Sequence, residues 1–219
     1  RPIHYACSNG NMSIVEFLVK SGASVNVRNR YFTTPLHEAS SRGRIMVAAY
    51  LLTFGMDINS RDNYGYSAFH LASKYRPDTV DFLLNYPNVN VNNRNEWNQT
   101  PLHEAAINNY MTIINKLIVN GSDVGAVDNF GHTPLSLAFK YGNRIPLELL
   151  IKEGADVNNA FIREHKCPLF MYIVVAARYY EPLKFLLEKV SEHRSQEYLI
   201  SVVNHKSRQN GKTLLHAVS

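Results

Sequence analysis

The chain has 219 residues, 45% of them hydrophobic and 19% charged, which places it in the globular class. No apolar run approaches the ~18 residues needed to span a bilayer; the most apolar stretch, Leu169 to Ala177, is half that, and Arg1-Pro2-Ile3-His4 lacks signal-peptide architecture. Two distant cysteines, Cys7 and Cys167, exclude a metal pair and a disulfide framework and suit a reduced, intracellular, cytoplasmic setting, while the net charge of +5, scattered over the sequence, permits an acidic partner without demanding one.

Taken in chain order, the first block is Arg1-Pro2-Ile3-His4-Tyr5-Ala6. It returns as Thr34-Pro35-Leu36-His37-Glu38-Ala39, Ser67-Ala68-Phe69-His70-Leu71-Ala72, Thr100-Pro101-Leu102-His103-Glu104-Ala105 and Thr133-Pro134-Leu135-Ser136-Leu137-Ala138. The second residue of each block falls at 2, 35, 68, 101 and 134, so the period is 33 throughout. A Thr before a Pro marks a helix start, with the hydroxyl at the cap and the proline at the first helical position, where its missing N–H costs nothing. A second predicted helix follows, apolar in runs such as Ile14-Val15-Glu16-Phe17-Leu18-Val19 and Val80-Asp81-Phe82-Leu83-Leu84. The glycine column at 22, 55, 121 and 154 ends it. Asp62-Asn63-Tyr64-Gly65 and Asp128-Asn129-Phe130-Gly131, with looser forms at Asn29 and Asn95, supply a β-turn that projects between repeats.

The register predicts one array over residues 1–219, in units of about 1–29, 30–62, 63–95, 96–128, 129–161, 162–207 and 208–219. The third is a residue short between its helices, at Tyr75-Arg76-Pro77, and a residue long after them, at Tyr86-Pro87-Asn88, so the register is restored. After Asn158 the pattern loosens. Cys167-Pro168-Leu169-Phe170-Met171-Tyr172 keeps only the proline and leucine, and Pro182-Leu183-Lys184-Phe185-Leu186-Leu187 reads as its second helix. The block at Thr213 arrives 46 residues after Cys167, which predicts an insertion near Ser191–His205, with Glu197 to Val203 extending a helix or forming an extra one. Residue 1 stands at a cap position, Ser219 falls inside a first helix, and neither end shows a polar capping repeat. The array is therefore expected to continue in a longer protein.

The Thr-Pro-Leu-His-x-Ala block, the Gly-Ala-Asp-Val-Asn block at Gly154–Asn158 and the 33-residue period together resemble the ankyrin repeat. The resemblance covers the chain, most closely residues 1–158. It implies an all-α ankyrin-repeat solenoid of stacked helix–turn–helix units with short turn fingers. It also implies a protein-interaction module, a scaffold or adaptor that grips another protein on a concave surface of fingers and first helices, with neither catalysis nor a cofactor. Arrays of this kind also serve as structural arms of larger channel or membrane-active, toxin-like proteins, and that alternative stays open here.

The histidines at 4, 37, 70, 103 and 216 occupy one slot per repeat, which is a structural arrangement and not a converging metal site. In the family that the blocks resemble, this His belongs to a Thr-x-x-His network, matched by Thr34/His37 and Thr100/His103. No catalytic motif stands out; Gly211-Lys212-Thr213 ends like a phosphate loop but lacks the upstream glycine. The candidate partner-binding residues form columns. Tyr31, Tyr64, Trp97 and Phe130 stand at the finger tips, where exposed rings make hot spots or else pack on one another. Arg28, Arg61 and Arg94, a column broken by Val127, could dock an acidic peptide or else pair with Asp62 or Glu96. Tyr75, Asn108 and Tyr141, with Glu38, Arg42 and Glu104, are expected to face the same groove. Nucleic-acid binding through the arginines is the weakest reading, because the basic residues do not run together.

Overall fold

The computed structural model describes residues 1–156, together with the backbone of two short strands, β1 (Phe161–Ile162) and β2 (Cys167–Pro168). The loosened block after Pro168, the helix expected at Pro182–Leu187, the insertion near Ser191–His205 and the block at Thr213 lie outside the described residues. The chain divides into two compact units, residues 1–123 and 124–219.

The first unit holds four helix pairs, each a first helix and a second helix: α1 (Pro2–Asn9) and α2 (Met12–Lys20), α3 (Pro35–Ser41) and α4 (Ile45–Leu52), α5 (Ala68–Tyr75) and α6 (Pro77–Leu84), α7 (Pro101–Ile107) and α8 (Met111–Val119). The second unit holds α9 (Pro134–Lys140), α10 (Arg144–Lys152) and the strand pair, which joins antiparallel with Phe161 opposite Pro168. In the first unit α1 packs on α3, α3 on α5 and α5 on α7, while the second helices form a parallel row. The packing follows from the columns. Ile3, Leu36, Phe69 and Leu102 fill the space between first helices, and Ala6, Ala39, Ala72 and Ala105 let those helices approach closely. Val15, Val80, Ile114, Leu51, Leu83 and Leu117 do the same for the second row. Each large side chain so buried contributes about 1.5–3 kcal/mol.

The repeated histidine is the polar half of this design. The Thr34 N–H donates to His37 Nδ1 at 3.2 Å, and His37 Nε2–H donates to the Tyr66 carbonyl in the next finger at 2.9 Å. His70 repeats this between Ser67 and Gln99, and His4 reaches the Thr33 carbonyl at 2.8 Å. At His37 and His70 Nδ1 accepts, so Nε2 carries the proton and the ring is held neutral. Burial lowers all three histidines below the usual imidazole range, His70 to about 4. In α9, Ser136 keeps the cap by accepting from the Thr133 N–H at 2.8 Å. The short third unit is closed by one residue: Arg76 alone separates α5 from α6, and its Nε donates to the Ser41 carbonyl at the end of α3. Arg44 does the same to Ser8 at 3.1 Å. Cys7 is buried without a disulfide, and burial pushes its thiol up to about 12, where it is inert.

Candidate protein-interaction surface

The fingers are built around one Asp or Asn each. Asn29 Oδ1 accepts from the Tyr31 and Thr33 N–H groups, Asp62 Oδ1 from Tyr64 and Tyr66, and Asn95 Oδ1 from Trp97 and Gln99, at 2.8–3.2 Å. In the second unit Asp128 holds Phe130 and His132 in the same way. An Asn accepts as well as an Asp here, so the looser finger sequences fold alike. The turn presents the aromatic ring two residues on. Tyr31, Tyr64, Trp97 and Phe130 are accordingly 43%, 49%, 36% and 48% exposed, enough to meet a partner while seated at the base.

Within the first unit the fingers are tied side to side. The Asn63 N–H donates to the Tyr31 carbonyl at 3.1 Å and the Glu96 N–H to the Tyr64 carbonyl at 2.9 Å. Tyr64 and Trp97 stack with centroids 6.0 Å apart and planes 11° from parallel, and Tyr66 braces Trp97 at 5.9 Å. These two tip rings therefore pack on each other and still present one face outward.

The arginine column has a different geometry from an open ladder. Arg28 donates to the Phe32 carbonyl, Arg61 to the Gly65 carbonyl and Arg94 to the Asn98 carbonyl, each latching its own finger at 3.1–3.3 Å. Arg28 also reaches the Arg61 carbonyl at 2.7 Å, and Arg61 pairs with Glu96 at 2.9 Å. The Asp62 carboxylate is committed to the turn and does not make that pairing.

On the helix side of the groove, Tyr75 is half exposed and meets Tyr110 edge-on at 6.1 Å. Asn108 is half-buried, and its amide donates to the Glu104 carbonyl at 2.8 Å. Glu104 itself is buried, where the sequence placed it facing the groove; it pairs with Lys74 at 3.5 Å and takes a hydrogen bond from the Tyr66 hydroxyl. Burial and the Glu104 carboxylate hold that hydroxyl far above the ordinary phenol range, and Lys74 lies 4.3 Å over the same ring. Tyr66 is thus a functional support that the columns hid: its slot reads Thr33, Tyr66, Gln99 and His132, with no repeated letter to mark it. In the second unit Tyr141 is 56% exposed at the end of α9.

At the start of the groove, between the first finger, α1 and α3, lies a cleft of about 1000 Å³ whose walls carry Arg1, Arg28, Arg30 and Arg42 against the single carboxylate of Glu38. Among the described residues no group of His, Cys, Asp and Glu is arranged to hold a metal, and no helix is long and apolar enough to cross a membrane.

This stack of capped helix pairs, linked finger to finger, defines a repeat protein. The sequence matches the family model for ankyrin repeats in three copies, over residues 3–95, 54–115 and 102–197, and the chain belongs to that family. Arrays of this family are in general non-catalytic modules for protein–protein interaction. No curated protein matches the chain.

Proposed function

We propose that the array is a scaffold or adaptor that binds a partner protein on the side formed by its fingers and first helices. The observation that carries this reading is the row of half-exposed tip rings on fingers held rigid from below. Tyr64 and Trp97 are stacked on each other, set on a backbone ladder and braced by Tyr66, so little rotamer freedom is left to lose when a partner arrives. Rigid aromatic anchors of this kind dominate binding energy at protein interfaces. Within the first unit Tyr31 extends the row, and Tyr75 and Asn108 supply contacts from the helices; the second unit by itself exposes Phe130 and Tyr141 in the corresponding slots. Arg28, Arg61 and Arg94 act through the fingers they latch. No chemistry is required of the surface, and the setting that suits its reduced Cys7 is intracellular.

The test begins by identifying partners through affinity capture with the array and reconstituting the complex from purified components. Trp97→Ala and Tyr64→Ala are each expected to weaken the reconstituted complex by about tenfold or more, the effect of losing a hot-spot ring, with helical circular dichroism unchanged. Unchanged affinity for a reconstituted partner in both variants would remove the finger tips from the interface.

A further inference from the structure

We infer that the cleft at the start of the groove is a receptor for a carboxylate-rich segment of the partner protein. The proposal rests on the finger-and-helix reading above and assigns one end of that surface a charge preference. Of the arginines in the cleft, Arg28 is committed to the Phe32 and Arg61 carbonyls. Arg30 and Arg42 differ: both are exposed, and among the described ion pairs neither is engaged. Arg30 lies 4.6 Å over the Tyr31 ring, which orients the guanidinium and leaves its N–H edge free for a planar oxygen pair. Arg42, at the end of α3, belongs to the same lining, as does Tyr5, 74% exposed on α1.

A second, independent feature marks this finger. Phe32 sits at φ 60, where the corresponding residues of the later fingers are Gly65, Asn98 and Gly131. A bulky side chain is disfavoured in that left-handed region. Phe32 is nonetheless 56% exposed, so burial offsets only part of the strain. Strain of this kind collects at binding sites. The finger therefore gives the cleft the Tyr31 ring and an unspent guanidinium, with the Arg42 guanidinium in the same lining and Phe32 exposed beside it.

The charge distribution favours a protein segment over a nucleic acid. A phosphate backbone needs a continuing track of cations, and in the first unit the basic character does not continue: Arg61 is paired with Glu96, Arg94 is latched to Asn98, and Glu104 offsets Lys74. A positive cleft of one repeat's width suits a short run of Asp or Glu beside an apolar residue, which the exposed rings would cover.

The proposal is tested by fluorescence anisotropy on the whole chain, with a labelled peptide of about ten glutamates around one leucine and neutral, polylysine and single-stranded DNA probes of equal length. Binding of the acidic peptide alone, weakened about tenfold or more by Arg30→Glu with Arg42→Glu but not by Trp97→Ala, is the expected result. Lys20→Glu with Lys116→Glu, on second helices of the same unit outside the cleft lining, changes the net charge equally, and equal weakening there would overturn the proposal as non-specific attraction. So would no binding of the acidic peptide, the same affinity in the arginine variant, or tighter binding of the DNA through these two arginines. A reconstituted partner that depends on Trp97 while the acidic peptide fails to bind would leave the wider interface reading intact and remove only the charge preference.

Discussion

At His70 the imidazole is sealed between Ser67 and the next finger, with burial as the main force against its protonation and Arg61 and Lys74 adding to it. Its folded pKa of about 4 lies below the unfolded value near 6.5, so the unfolded chain binds the extra proton between those limits. Stability is then complete above pH 6.5 and falls as pH drops toward 4; His37 and His4 act in the same direction. Over the upper part of this window, from pH 6.5 to 5, His70 alone accounts for a loss of about 2 kcal/mol. Urea melts at pH 7 and pH 5 should show this loss, and His70→Gln should show a shallower pH dependence whatever its absolute stability. An equal pH dependence in the variant would mean that the proton goes elsewhere. Phe32 is the other residue whose backbone sets an expectation. Phe32→Gly relieves a left-handed strain of about 1–2 kcal/mol and gives up the buried part of the ring, so the same melts should show a loss far smaller than the ~3–5 kcal/mol of a core phenylalanine, while any partner that covers the ring is weakened.

Between elements, what holds one repeat to the next is a set of short polar clasps laid over the apolar columns. Asn59 accepts from the Asn90 N–H and donates to the Asn88 carbonyl, and Asn92 does the same with the Asp123 N–H and the Gly121 carbonyl. Gly65 sits under the next finger: a Cβ there would stand 2.6 Å from the Glu96 nitrogen and 2.9 Å from the Asn95 carbonyl carbon, both backbone atoms. Gly121 has the same sign of φ and open space around it. Gly65→Ala should therefore cost clearly more than Gly121→Ala, which loses about 1 kcal/mol to backbone conformation alone, and only Gly65→Ala should disturb the Tyr64–Trp97 stack, read in tryptophan emission. Equal costs would show that the fingers shift apart freely. The helices were legible because their signals repeat: cap, proline, alanine and glycine return every 33 residues and each has a local physical meaning. The tip rings were legible for the same reason. What the columns could not reveal are contacts between unlike residues. The burial of Glu104 depends on Lys74 and Tyr66 of the preceding repeat, in slots that read Ser41 and Thr33 one repeat earlier and Ile107 and Gln99 one repeat later, and the latching of Arg28, Arg61 and Arg94 depends on carbonyls, which every residue has.

Over the whole of the first unit the main packing is between neighbours: in the row of first helices α1 touches α3, and α5 touches α3 and α7. Stability in such an array is a sum of repeat terms and nearest-neighbour interfaces. Phe69 is the largest fully buried side chain at the middle interface, with 1% exposure. Phe69→Ala removes the ring and leaves a cavity between first helices, with an expected cost of about 3–5 kcal/mol. Because the lost contacts belong to α5 and the helices on either side, hydrogen exchange should accelerate most in α3, α5 and α7 and least in α1. The cap hydrogen bond of His70, the next residue of α5, should open with them and carry its pH dependence into the same amides. A uniform acceleration from α1 through α8 would instead show that residues 1–123 open as one body, and that the clasps couple the repeats more strongly than the apolar columns do.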